Sequence, residues 1–141
     1  MLVMDNLFKD KGISSSGMLH VSAHEAFELC QNGAILVDVR EEYMIGFKMF
    51  DVEETIFCPK SILEEKYSEL PKDKALIFAD ASGIHSKEAV LFLLEKGFEN
   101  IANLAGGLVE WERDGVSIKI DYNERLSGSC ACQLRRRDKK Q

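Results

Sequence analysis

The stretch Leu76-Ile77-Phe78-Ala79-Asp80-Ala81-Ser82-Gly83-Ile84-His85-Ser86 decides how this chain is read. It opens as an unbroken apolar run of strand length, which suits a strand covered on both faces. It then turns sharply from Asp80 to Gly83 and enters an apolar-periodic segment, predicted to be a helix from Lys87 to Lys96. A strand feeding a tight turn that opens a helix aims several backbone N–H groups at one point. Helix N-termini carry unsatisfied donors and the positive end of the dipole, so that point suits an anion. Any chemistry of the chain is expected in this loop.

Working outward, the same grammar repeats. Ala34 to Val39 is a second continuous apolar run, followed by a short helix from Arg40 that fades by Gly46. Thr55 to Cys58 and Asn100 to Leu104 read as further strands. Ser61 to Leu70 reads as a helix ended by Pro71, and Leu108 to Arg113 as a short helix after the Gly106-Gly107 turn. Near the start, Leu19-His20-Val21 is a short strand. Ser22 with Glu25 three residues on forms a capping box for a helix to about Gln31 that buries Ala26, Phe27, Leu29 and Cys30. Residues 1–18 read as a weakly structured leader, punctuated by Ser14-Ser15-Ser16-Gly17. Strands alternating with helices predict an α/β layer fold with a mostly parallel sheet.

Composition narrows the function classes. The chain has 141 residues, 45% of them apolar, enough for one domain with one core. The formal net charge is −6, although Arg135, Arg136, Arg137, Lys139 and Lys140 against Asp138 give the last seven residues +4. The body is therefore strongly acidic, which argues against nucleic acid as the main partner. No run approaches the roughly 18 apolar residues of a membrane span, and Met1 to Lys11 lacks the apolar core of a signal peptide. A cytoplasmic protein with mostly reduced cysteines is expected. No cofactor and no metal site is predicted. Cys30 and Cys58 read as small core residues, and His20 and His24 as surface residues. Met44, Phe47, Met49 and Phe50 form an apolar cluster, read either as core or as a partner or dimer patch. Trp111 reads as core.

Four features together resemble the single-domain rhodaneses, the sulfurtransferase-like fold. They are the strand with Asp38-Val39-Arg40-Glu41; Leu70-Pro71-Lys72-Asp73-Lys74; the Ser82-Gly83 loop with Ser86 and its Ala-containing helix; and Gly97-Phe98-Glu99-Asn100-Ile101 through Leu104-Ala105-Gly106-Gly107-Leu108 to Trp111. The resemblance covers about residues 19–118, leaving 119–141 as a tail. It implies a three-layer fold with a mostly parallel central sheet flanked by helices. In that family the loop reads Cys-x-x-Gly-x-Arg-Ser/Thr, and the Cys carries sulfur as a persulfide. Aligned on Gly83 and Ser86, this chain has Asp80 at the Cys position and His85 at the Arg position. A carboxylate cannot form a persulfide, which requires a thiolate attacking sulfur. The family's Gly-His-Ile-Pro-Gly-Ala segment is also replaced, by Gly46 to Glu53. The related phosphatase branch needs a Cys and a longer loop ending in Arg, and this loop has neither.

These departures set out the functional readings. In the first, the loop Asp80, Ala81, Ser82, Gly83, Ile84, His85, Ser86 is degenerate. Asp80 then stands among the loop N–H groups in place of a thiolate, Ser82 and Ser86 act as caps rather than nucleophiles, and the protein is a binding or regulatory module for an unidentified protein or small molecule. In the second, Asp80 and His85 bind a cation or work as an acid/base pair, although two ligands do not make a metal site. In the third, Cys130 and Cys132 of the tail handle sulfur or redox chemistry. The chain from Gly115 to Cys130, about fifteen residues, extends to roughly 50 Å, enough to reach back to the loop in cis or across a homodimer. The resemblance gives Asp38 and Arg40 a structural role beside the loop. The oligomeric state stays open.

Overall fold

The computed structural model describes residues 7–46 and 48–120. The elements run β1 (Ile13–Ser15), β2 (Met18–Val21), α1 (Ala23–Gln31), β3 (Ile35–Asp38), α2 (Glu42–Ile45), β4 (Lys48–Phe50), β5 (Thr55–Phe57), α3 (Leu63–Lys66), β6 (Leu76–Ala79), α4 (Ile84–Glu95), β7 (Ile101–Leu104), α5 (Gly107–Arg113) and β8 (Ile118–Ile120). Six strands form one sheet in the order β1-β2-β7-β6-β3-β5. All pairings in it are parallel except β1 with β2.

The continuous apolar runs are explained by two cores, one on each face of this sheet. Leu36, Ile77, Ala79, Ala102 and Leu104 face α1 and α5, while Ile35, Val37, Leu76, Phe78 and Ile101 face α3 and α4. Every residue of β3, β6 and β7 is buried, so none of these strands can alternate with polar residues. Trp111 is 0% exposed at the centre of the first core. Phe50 packs edge-on against it at 5.0 Å, and its Nε1 donates to the Ser117 carbonyl at 2.8 Å. The capping box at Ser22 and Glu25 is present with both reciprocal bonds.

The layer architecture follows the expectation, with local differences. The helix expected from Lys87 starts at Ile84, directly from the turn. The helix expected over Ser61 to Leu70 is broken into a 3₁₀ turn at Lys60–Ile62, the single α turn of α3, and another 3₁₀ turn at Tyr67–Glu69. Residues 7–17, expected to be weakly structured, place Phe8 in the first core and supply edge strand β1. Phe27, expected to be buried, is only partly so and lies edge-on to Trp111. The β4–β8 ribbon, antiparallel and separate from the main sheet, lies outside the expected elements. The apolar cluster divides: Met49 and Phe50 are 4% exposed and belong to the interior, Met44 is 41% exposed, and Phe47 lies outside the described residues.

The topology also places the site. The chain leaves β3 for β5 on one side of the sheet and leaves β6 for β7 on the other. Neighbouring parallel strands whose connections depart in opposite directions open a crevice at their C-terminal ends. Asp38 to Arg40 and Asp80 to Ser86 leave those two ends side by side.

Candidate functional site

Asp80 forms the floor of the crevice and is 1% exposed. Its Oδ1 accepts from the Gly83 N–H at 2.5 Å and lies 3.2 Å from Ser86 Oγ. Its Oδ2 accepts from the His85 N–H at 3.0 Å. The turn thus folds around its own first side chain, which takes up the Gly83 and His85 donors at the start of α4. Gly83 makes this possible: its φ is +94°, and a Cβ there would sit 2.9 Å from the Gly106 nitrogen. From behind, Leu108 and Val109 of α5 donate to the Asp80 and Ala81 carbonyls at 2.9 and 3.0 Å. This close approach needs Gly107, where a Cβ would lie 2.4 Å from the Asp80 carbonyl oxygen.

One wall is the buried pair of Asp38 and Arg40. Arg40 Nη2 donates to Asp38 Oδ2 at 2.7 Å and Nε donates to Oδ1 at 3.0 Å. The guanidinium also donates to the Lys48 carbonyl at 3.0 Å and lies over the Phe50 ring at 5.4 Å. It therefore fastens β4 to the end of β3 instead of pointing into open space.

Above Asp80 is a cavity of about 320 Å³ lined by Val39, Arg40, Glu41, Tyr43, Met44, Lys60, Ser61, Asp80 and His85. Glu41 is held by the Ser61 N–H at 2.9 Å and the Ser61 hydroxyl at 2.8 Å. Lys60 Nζ meets Glu88 Oε1 at 2.5 Å, and His85 Nδ1 lies 3.6 Å from the same oxygen. Lys60, with a smaller contribution from His85, holds the Glu88 carboxyl below its ordinary range. Large exposed apolar side chains stand near this mouth: Tyr43 (85% exposed) and Met44 on its wall, and Ile84 beside His85.

Ser82 and Ser86, expected as caps, do not cap α4: its N-cap is Gly83, with no side-chain cap bond, and Ser86 is fully buried in the first turn. Its Oγ lies 2.5 Å from Asn103 Oδ1, and Asn103 Nδ2 lies 3.1 Å from His20 Nδ1. Asn103 is not among the residues expected at the site, although a lone amide in the apolar run Ile101-Ala102-Asn103-Leu104 is the kind of residue that must find a buried partner. His20, expected at the surface, is half-buried and bonded to it, because parallel pairing sets His20 beside Asn103. His24 is exposed. Ala81 is partly buried, and Ser82 is exposed.

Cys30 and Cys58 are buried free thiols, at 3% and 0% exposure, and burial pushes each up to about 12. Cys130 and Cys132 lie outside the described residues. Among the described residues no cluster of three or more His, Cys, Asp or Glu could hold a metal ion, and no helix is long and apolar enough to cross a membrane.

A family model for the rhodanese-like domain matches residues 22–114. A sulfurtransferase of Allochromatium vinosum is 31% identical over 84 residues, covering 60% of this chain and 77% of the relative. The thiosulfate sulfurtransferase GlpE of Actinobacillus pleuropneumoniae is 27% identical over 109 residues, covering 77% of this chain and 99% of the relative. A rhodanese-related protein of Thermoplasma volcanium superposes with a TM-score of 0.65 at 29% identity, covering 72% of this chain and 98% of that one.

Proposed function

The chain belongs to the rhodanese-like domain family, and on that premise we propose that it is a non-transferring member, a binding or regulatory module in which Asp80 stands where the family's loop carries its persulfide cysteine. The observation that carries this reading is the Asp80 carboxylate bonded to the Gly83 and His85 amides. A cradle of backbone N–H groups at a helix start stabilises an anion. In a sulfurtransferase that anion is a thiolate or persulfide, able to attack or release sulfur. Here the anion is a carboxylate, tethered to its own loop through Cβ, held by the Gly83 and His85 N–H groups and unable to accept sulfane sulfur.

The related proteins named for thiosulfate sulfur transfer handle a dianionic donor. A donor of that charge entering this cavity meets Asp80 at the floor and Glu41 on the wall, while the lining cations Arg40 and Lys60 are already paired with Asp38 and Glu88. Like charges at short range in a partly desolvated pocket disfavour such a ligand. The cavity is instead open to a partner protein or small molecule that tolerates or uses the internal carboxylate, with exposed Tyr43 and Met44 as apolar contacts.

The experiment is a thiosulfate:cyanide sulfurtransferase assay on the full chain. No turnover above the no-protein background is expected, whereas sustained turnover would overturn the reading.

A further inference from the structure

Four side chains form an unbroken polar line from the cavity floor to β2, two strands away from β6: Asp80, Ser86, Asn103 and His20. The contacts are 3.2 Å from Asp80 Oδ1 to Ser86 Oγ, 2.5 Å from Ser86 Oγ to Asn103 Oδ1, and 3.1 Å from Asn103 Nδ2 to His20 Nδ1. Asp80, Ser86 and Asn103 are each at most 2% exposed, so water cannot replace a lost partner. Only His20, half-buried on β2, reaches toward solvent.

The proton count along this line permits two arrangements. Ser86 has one hydroxyl proton and two oxygen acceptors in reach. When His20 is neutral and accepts at Nδ1, Asn103 Nδ2 donates to it, and Asn103 Oδ1 takes the Ser86 proton. Nothing from Ser86 is then left for Asp80. When His20 carries a proton on Nδ1, it must donate, so the nearly isosteric Asn103 amide turns over and presents Oδ1 to His20. Asn103 Nδ2 then donates to Ser86 Oγ, and the Ser86 hydroxyl turns to Asp80 Oδ1. The proton that drives the change comes from solvent and stays on His20, and no covalent bond other than that N–H is made.

We propose that His20 is a positioning residue for the loop, setting through Asn103 whether Ser86 donates to the Asp80 carboxylate and so adjusting the cavity floor to the protonation of a half-buried imidazole on β2. Imidazole is the side chain whose charge changes near neutral pH. The charged groups on the flanking elements are few. Glu25 of α1 accepts from Gly12 N at 3.1 Å, and Gly12 packs on the His20 carbonyl, with Lys11 beside it in sequence. β1 carries no charged residue. On α4, His85, Lys87 and Glu88 are exposed, and the buried residue of that turn is Ser86. Asp80 is the group at the far end of the line. This inference rests on Asp80 as the loop's resident anion.

The test is NMR of the full chain, following the Asp80 carboxyl carbon and the His20 ring nitrogens against pH. In the wild type the Asp80 signal is expected to step at the His20 midpoint. In Ser86→Ala the step is expected to vanish while His20 still titrates, and Asp80→Asn is expected to lower the proton affinity of His20 by about threefold. An Asp80 signal that stays flat through the His20 midpoint in the wild type overturns the proposal. So does a step that persists in Ser86→Ala, because it would be a through-space charge effect. Either result leaves the reading of Asp80 as a non-transferring anion intact. Sulfur transfer by the wild type would instead overturn that reading without touching the titration behaviour.

Discussion

The Arg40 guanidinium meets the Asp38 carboxylate at 2.7 Å, and each side chain is only 1% exposed. A buried ion pair of this kind is costly to break, because removing one partner leaves the other charged and dry. Arg40 also holds the Lys48 carbonyl, so the cavity wall depends on it. Arg40→Met is expected to lose about 3–5 kcal/mol in urea unfolding. Replacing Asp38 and Arg40 together with apolar residues is expected to cost clearly less than the single change.

The cap of α1 gives a pH-dependent prediction. The Glu25 carboxyl is lowered chiefly by the Ser22 N–H it accepts, with the Gly12 N–H adding to this and burial opposing it. A carboxyl lowered on folding contributes stability above its unfolded titration range and loses it as pH falls through the folded one. Acidification below about pH 4.5 should therefore erode stability. Glu25→Gln should flatten that slope and lose about 0.5–1 kcal/mol at neutral pH. Thermal unfolding of both proteins between pH 3 and 7 checks this.

Thiol reactivity tests the packing of the two core cysteines. Cys30 and Cys58 are buried and pushed up to about 12, so neither offers a thiolate near neutral pH. Iodoacetamide at pH 7.5, read by peptide mass spectrometry, should leave both unlabelled in the folded protein and modify both in denaturant. Rapid labelling of either one in the native state would contradict the packing described.

Loop support gives a further prediction. Gly107 has φ +58° and stands against the Asp80 carbonyl, where a Cβ would come within 2.4 Å. Gly107→Ala should displace α5 from the loop and cost about 1–3 kcal/mol, with shifts in the Ala81 and Asp80 amide resonances as the local readout.

Much of this architecture is written locally. Ile35 to Asp38 and Leu76 to Ala79 are buried on both faces, and their unalternating runs announce it. Ser22 and Glu25 declare their cap within four residues. The parts that were not legible depend on distant pairing. β4 and β8 are three residues each, and Lys48 meets Ile120 only after the rest of the domain is built. The helix expected over Ser61 to Leu70 has the composition but not the regularity, and the structure resolves it into three short turns. The loop could be read as a self-contained turn around Asp80. Its connection to His20 could not, since it requires the register that sets His20 beside Asn103 and the start of α4 that turns Ser86 inward.

The proposed replacement of a sulfur-carrying thiolate by the loop's own carboxylate is checked by a thiosulfate:cyanide sulfurtransferase assay on the full chain, with Asp80→Cys measured in parallel. Wild-type turnover is expected at the no-protein background, with a rise above it in Asp80→Cys, where a thiol would enter the same amide cradle. Sustained turnover by the wild type, equal to or above that of the variant, would contradict it.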